Sequence, residues 1–228
     1  KIRKPDVIYN ISFPHGIKGF EYGNVYIYGK YKKLKEGISQ KRWKKYEKSV
    51  EALIGDKALS YFEGKQYWLH CSGREDVDAL NIAGRPFVLE LKEAKKRYLN
   101  LSELERQINN ENDIEVSLYG YVDDRFVEIV SNSHFNKIYI AYLSTTLSND
   151  EMERIGKIKN LVIKQKTPTR VLHRRANKLR KKTIFYIKAE KDCLTIKAEA
   201  GTYIKEFING DNNRTKPSIS SILGKEIT

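Results

Sequence analysis

Apolar residues at spacings of three and four mark one clear helix in the first half of the chain. Val50, Leu53, Ile54, Ala58, Leu59 and Phe62 recur in this way, which predicts an amphipathic helix over 49–64 that stops at Gly64. Short runs rich in β-branched and aromatic residues, bounded by glycine or polar turns, predict strands at 23–29, 67–71, 86–91, 114–122, 126–131, 136–143, 161–166, 183–190 and 194–200. The last two read as an antiparallel pair joined at Lys191-Asp192. A short helix at 101–110 has Asn100 or Ser102 as its cap. Ser148 followed by Glu151 forms a capping-box pattern that should start a helix running to about Lys159, and a further helix falls at 203–208. Residues 1–22 read as an irregular, partly extended lead-in or linker broken by Pro5 and Pro14, with one domain following over 23–228. Residues 210–221 read as a Gly/Asn/Pro/Ser loop. The mixed order of elements predicts an α+β fold with a large mixed, mainly antiparallel central sheet flanked by helices and loops.

Composition narrows the function class through charge. Forty-three Lys and Arg against 29 Asp and Glu give a formal charge of +14, which points to a polyanionic partner. Fifteen tyrosines add stacking surface, and basic grooves with aromatic faces suit looped or single-stranded RNA better than a regular duplex. No apolar run approaches the roughly 18 residues of a membrane span, so no membrane partner is expected. The chain starts with Lys and carries no signal-peptide pattern, so an excerpt of a longer cytoplasmic protein is expected. Cys71 and Cys193 are far apart and read as reduced thiols. Neither they nor His15, His70, His134 and His173 have metal-ligand spacing, so neither a metal nor a small-molecule cofactor is expected.

Candidate chemistry concentrates between two strands, in Ser72-Gly-Arg-Glu-Asp-Val-Asp and on to Gly84-Arg85. A solvated acidic turn is the plain reading of such a stretch. The functional reading gives each residue a task. Gly73 frees the backbone for close approach to a ligand, Arg74 holds a phosphate, and one of Glu75, Asp76 and Asp78 meets the reacting atom. Asp76 is the acid of choice, with Lys205 a candidate cationic partner. Alternation puts Lys137, Tyr139 and Ala141 on one face of their strand, where Tyr139 either stacks on a base or belongs to the core. The basic segment 30–45 reads equally as a solvated loop or a phosphate-tracking arm. A second basic segment, 167–182, carries Arg170, Arg174, Arg175 and Lys181 together with His173 as RNA contacts.

These stretches together carry a resemblance. Ser72-Gly-Arg-Glu-Asp-Val-Asp, Gly84-Arg-Pro-Phe, Lys166-Thr-Pro-Thr-Arg-Val-Leu-His-Arg-Arg, Ala200-Gly-Thr-Tyr-Ile-Lys-Glu-Phe-Ile-Asn-Gly-Asp and Arg214-Thr-Lys-Pro stand in one order. Tyr28-Gly-Lys-Tyr-Lys-Lys and Ser39-Gln40 precede them. The set, spanning about residues 23–221, resembles the archaeal and eukaryotic tRNA pseudouridine synthases that act on positions 54 and 55. The resemblance implies a pseudouridine-synthase-like core and isomerisation of uridine in the T-loop of tRNA by a probable monomer, with Asp76 as nucleophile on a flipped-out base. It implies Tyr139 packed on the target base, Tyr203 as a substrate contact and Lys205 paired with the catalytic carboxylate. The chain departs from the family in lacking its N-terminal RNA-binding accessory domain with a Cys-rich zinc site, and in stopping before its last strand. Two rival readings are a metal-dependent nuclease using Glu75, Asp76 and Asp78, and a non-catalytic RNA-binding module.

Overall fold

The computed structural model describes residues 4–173 and 175–228. Backbone contacts divide the chain into two compact units, Lys1–Ser133 and His134–Thr228. In the first, β1 (Val7–Ser12) and β2 (Gly16–Tyr22) form an antiparallel hairpin where an irregular segment was expected. Pro5 precedes β1 and Pro14 lies in the turn, so neither proline removes a ladder donor. The unit's four-stranded sheet has the order β4-β5-β3-β6, from β3 (Val25–Lys33), β4 (Gln66–Cys71), β5 (Asn81–Lys92) and β6 (Ile114–Val122).

Helix α1 (Val50–Phe62) forms where the apolar spacing places it. Ser49 caps it by accepting the Ala52 N–H at 3.1 Å, and Glu63 closes it in the left-handed region. Its buried Val50, Ile54, Ala58 and Phe62 pack with Ile27, Leu69, Phe87 and Leu89 of the sheet and Leu104 of α2 (Leu101–Asn109). Gly55 lies on the same face, and a Cβ there would sit 2.1 Å from the Tyr67 ring. The ring cannot yield freely, because its hydroxyl is tied to Asp56 and Arg42. Gly55→Ala gains about 1 kcal/mol of helix propensity. Overpacking costs about 1–3 kcal/mol, so a net drop in the urea midpoint is expected; an unchanged or raised midpoint would mean that the ring moves aside.

One expected strand is a helix: α3 (Arg125–Ser131). The β-branched run from Val127 to Val130 favours a strand locally, but Asp123 Oδ1 accepts the Arg125 N–H at 3.0 Å and opens a helical turn. Tertiary packing then buries Val130 and sets Phe126 6.2 Å from the Tyr28 ring.

The second unit holds a five-stranded sheet in the order β11-β8-β9-β10-β7. Its strands are β7 (Lys137–Tyr142), β8 (Lys159–Lys166), β9 (Leu179–Ala189), β10 (Cys193–Ala198) and β11 (Thr215–Lys216). Helix α4 (Asn149–Gly156) starts at the predicted capping box, with both reciprocal bonds between Ser148 and Glu151 formed. Helices α5 (Ile204–Asn209) and α6 (Ile219–Leu223) follow, α6 and β11 arising where a loop was expected. Ile155, Ile163, Ile184, Leu194, Ile196, Phe207 and Ile219 form this unit's core. The class is therefore α+β, as expected. The ladders between the named strands are all antiparallel and divide into sheets of two, five and four strands, where one large mixed sheet was anticipated. Among the described residues no helix is long and apolar enough to cross a membrane.

Candidate active site

The stretch singled out from sequence divides in two. Residues 72–80 leave the end of β4 as a loop, whereas 81–85 already belong to β5. Gly73 has φ +73° and a Cβ there would come 3.3 Å from the Arg85 guanidinium, so glycine is required on both counts. Pairing of β3 with β5 sets Tyr31 across from Arg85 and Lys33 across from Asn81. These ladder positions bring three polar side chains beneath the loop.

Glu75 turns inward rather than to solvent. Its carboxylate accepts from Arg85 Nε at 2.6 Å and from the Tyr31 hydroxyl at 2.8 Å, and both members of the ion pair are only 7% exposed. Arg85 also donates to Ser72 O at 2.6 Å, and Gln40 Nε2 donates to Gly73 O and Tyr31 Oη, each at 2.9 Å. Burial and the nearby Glu75 charge push the Tyr31 hydroxyl well above the ordinary tyrosine value, so it stays a protonated donor. Lys33 is fully buried, and its ammonium donates to Ile38 O at 3.1 Å, Asp76 O at 2.9 Å and Val77 O at 3.0 Å. Burial pushes the Cys71 thiol beside the loop up to about 12, which keeps it protonated. Asp76 is half-buried on this framework, and Arg74 and Asp78 are exposed.

This geometry sorts the sequence candidates. Both oxygens of Glu75 serve the ion pair and the tyrosine, so it does not act with Asp76 and Asp78 as an open ligand set; among the described residues no group of three metal-binding side chains occurs. Much of the basic segment 30–45 is spoken for within its own unit. Lys35 and Lys48 both pair with Asp113, Lys41 with Glu51 and Arg42 with Asp56. Tyr31, Lys33, Gln40 and Arg85 were missed as loop-holding residues. Their signal was available in part, because period-two counting from Val25 through Ile27 puts Tyr31 and Lys33 on the buried face.

The remaining candidates lie in the second unit. Tyr139 is half-buried on β7 beside Lys137 and Ala141, as the alternation predicts, and packs against that unit's core. Tyr203 precedes α5; its backbone is gripped on both sides by the Gln165 amide at 2.9 and 3.0 Å, and its hydroxyl accepts from Arg175 at 3.0 Å. Lys205 is exposed in the first turn of α5. Arg170 donates to buried Glu206 at 2.7 Å. The basic loop closes on Thr167, whose hydroxyl donates to Ala176 O at 2.7 Å and accepts from the Lys178 N–H and from Arg180, each at 3.0 Å. Arg214 bonds Thr167 O and Asn177 across the same loop. His173, Arg175 and Lys181 are exposed, and Arg174 lies outside the described residues.

Comparison with known proteins adds the family. Residues 26–228 match the family model described as "Pus10, C-terminal". A protein of Picrophilus torridus described as tRNA pseudouridine synthase Pus10 is 40% identical over 210 residues, covering 89% of this chain and 56% of the relative. Proteins of the same description from Thermofilum pendens and Pyrococcus furiosus are 38% and 35% identical, covering 89% and 98% of this chain and 50% and 60% of the relatives. The chain thus spans little more than half the length of the curated relatives it matches. With the family model covering nearly the whole sequence, the chain belongs to the Pus10 C-terminal family.

Proposed function

We propose that this chain is the catalytic domain of a tRNA pseudouridine synthase, with residues 23–228 as that domain behind a lead-in segment. In this reading it isomerises uridine at position 54, position 55 or both in the T-loop, acting as a monomer in the cytoplasm without metal or cofactor. The observation that carries the reading is the half-buried Asp76 on a loop held by buried polar side chains, in a chain whose relatives bear that enzyme's name.

The chemistry needs one positioned carboxylate. The N1–C1′ bond of uridine breaks, the base turns, and a C5–C1′ bond forms; the proton leaving C5 is balanced by one gained at N1. The Asp76 carboxylate serves either by attacking C1′, giving an acylal, or by taking the C2′ proton, giving a glycal. Lys205 is its cationic partner in this reading. The uridine must leave the stack to reach it, and Tyr139 and Tyr203 replace part of the lost stacking at about 1–3 kcal/mol per base. Arg74 and the exposed cations of 167–182, Arg170, His173, Arg174, Arg175 and Lys181, hold phosphates. Arg170 and Arg175 are already oriented by Glu206 and Tyr203.

The test is mapping of carbodiimide-adduct stops on an unmodified tRNA transcript incubated with this chain in EDTA. Stops at 54 or 55 are expected. Strand cleavage abolished by EDTA would support a nuclease instead. Tight tRNA binding without product, persisting after the family's N-terminal domain is added in trans, would leave only an RNA-binding module.

A further inference from the structure

Lys33 departs from the basic run in which it sits. Its neighbours Lys32 and Lys35 reach solvent and pair with surface acids, whereas Lys33 falls on the buried face of β3 and has no exposed surface. An ammonium in that position is costly unless all three of its N–H donors are used. They are used, and each acceptor is a main-chain carbonyl: Ile38, Asp76 and Val77. Two of these are consecutive, so one charge grips both ends of the peptide that leaves Asp76. Val77 O accepts from the Gly37 N–H as well, and Asp76 O from the Ala79 N–H. Burial lowers the Lys33 pKa, opposed by Glu75, Asp78, Asp76 and Glu36 around it.

We propose that Lys33 is a positioning residue for Asp76, holding the Asp76–Val77 main chain so that the carboxylate is presented in a single orientation, and that it makes no contact with RNA. The proposal rests on the reading of Asp76 as the reacting carboxylate. Reaction at a sugar carbon tolerates little misplacement, and an error of about 1 Å is enough to lose about 100-fold in rate. A charge spent on carbonyls rather than on a carboxylate shapes the backbone without neutralising the nucleophile.

The experiment compares wild type, Lys33→Met and Lys33→Arg. Met keeps the apolar stem without donors, and Arg keeps a charged donor should the Met variant fail to fold. Three quantities are read: tRNA affinity across a salt series, single-turnover pseudouridine formation at saturating tRNA, and hydrogen exchange of the Gly37 and Ala79 amides. Expected for Lys33→Met are unchanged affinity and salt slope, a rate lower by about 100-fold, and faster exchange at both amides. Lys33→Arg is expected to fall between Met and wild type in rate and exchange, again with unchanged affinity. Weaker binding with a salt slope reduced by about one and an intact rate would make Lys33 a phosphate contact and overturn the proposal. Unchanged rate and exchange would overturn it too. Wild type defines the reading beneath it: absence of product there defeats the assigned activity, while the exchange measurement still decides whether Lys33 holds the loop.

Discussion

Asp76→Asn is expected to bind tRNA at least as tightly as wild type and to lose pseudouridine formation by on the order of 10⁴-fold or more. The substitution keeps shape and removes the nucleophilic and basic oxygen. The bonds that hold the loop are retained, because they end on the carbonyls of Ser72, Gly73, Asp76 and Val77 and on the side chain of Glu75. Removing one negative charge from a chain of net charge +14 does not weaken its attraction for phosphates. Filter binding and quantitative stop mapping on one tRNA transcript read the two quantities separately. Activity within tenfold of wild type would place the reacting carboxylate elsewhere, with Asp78 the next to substitute.

The largest stability effect is expected from Arg85→Met. It leaves Glu75 buried opposite Tyr31 with its cation gone, and deleting one partner of a buried pair costs about 3–5 kcal/mol. In a unit of this size that lowers Tm by roughly 10–20 °C in a calorimetric scan. Glu75→Leu combined with Arg85→Leu removes both charges and should recover most of the lost Tm, since a buried pair contributes little over apolar packing. The double variant should nevertheless stay slow. Ser72 O loses its Arg85 donor and the Tyr31 hydroxyl loses its acceptor, so the loop carrying Asp76 is no longer held at that end. Recovery of both Tm and rate would show that the pair serves stability alone. A Tm loss under about 2 °C for Arg85→Met would show that water reaches Glu75 in place of the guanidinium.

Several features were legible because their causes are local. The Ser49 cap, the Ser148–Glu151 box and the three-four spacing of α1 each lie within one or two helical turns, and all stand where sequence reading puts them. The bounds of β6 agree as well. Asp76, Tyr139, Tyr203 and Lys205 were picked out by motif, and their roles stay with the proposed function. Errors collect where packing outvoted propensity or a turn held the breaker. Helix α3 formed from a β-branched run, and the β1–β2 hairpin formed around Pro14.

By itself, then, the sequence determined the α+β class, most element positions, the basic character and the family, since these follow from periodicity, capping, charge count and ordered motifs. Only the tertiary structure decided which charges are buried and with whom. Lys33 and Lys32 are adjacent and chemically identical, yet strand alternation puts one under the Asp76 loop and the other beside Glu115 at the surface. Glu75 and Arg85 become partners because β5 begins at Asn81 and its register with β3 sets Arg85 across from Tyr31. The physical reason is that a buried charge is tolerated only where specific donors and acceptors meet it. Those meetings depend on strand register, which no local stretch of sequence contains.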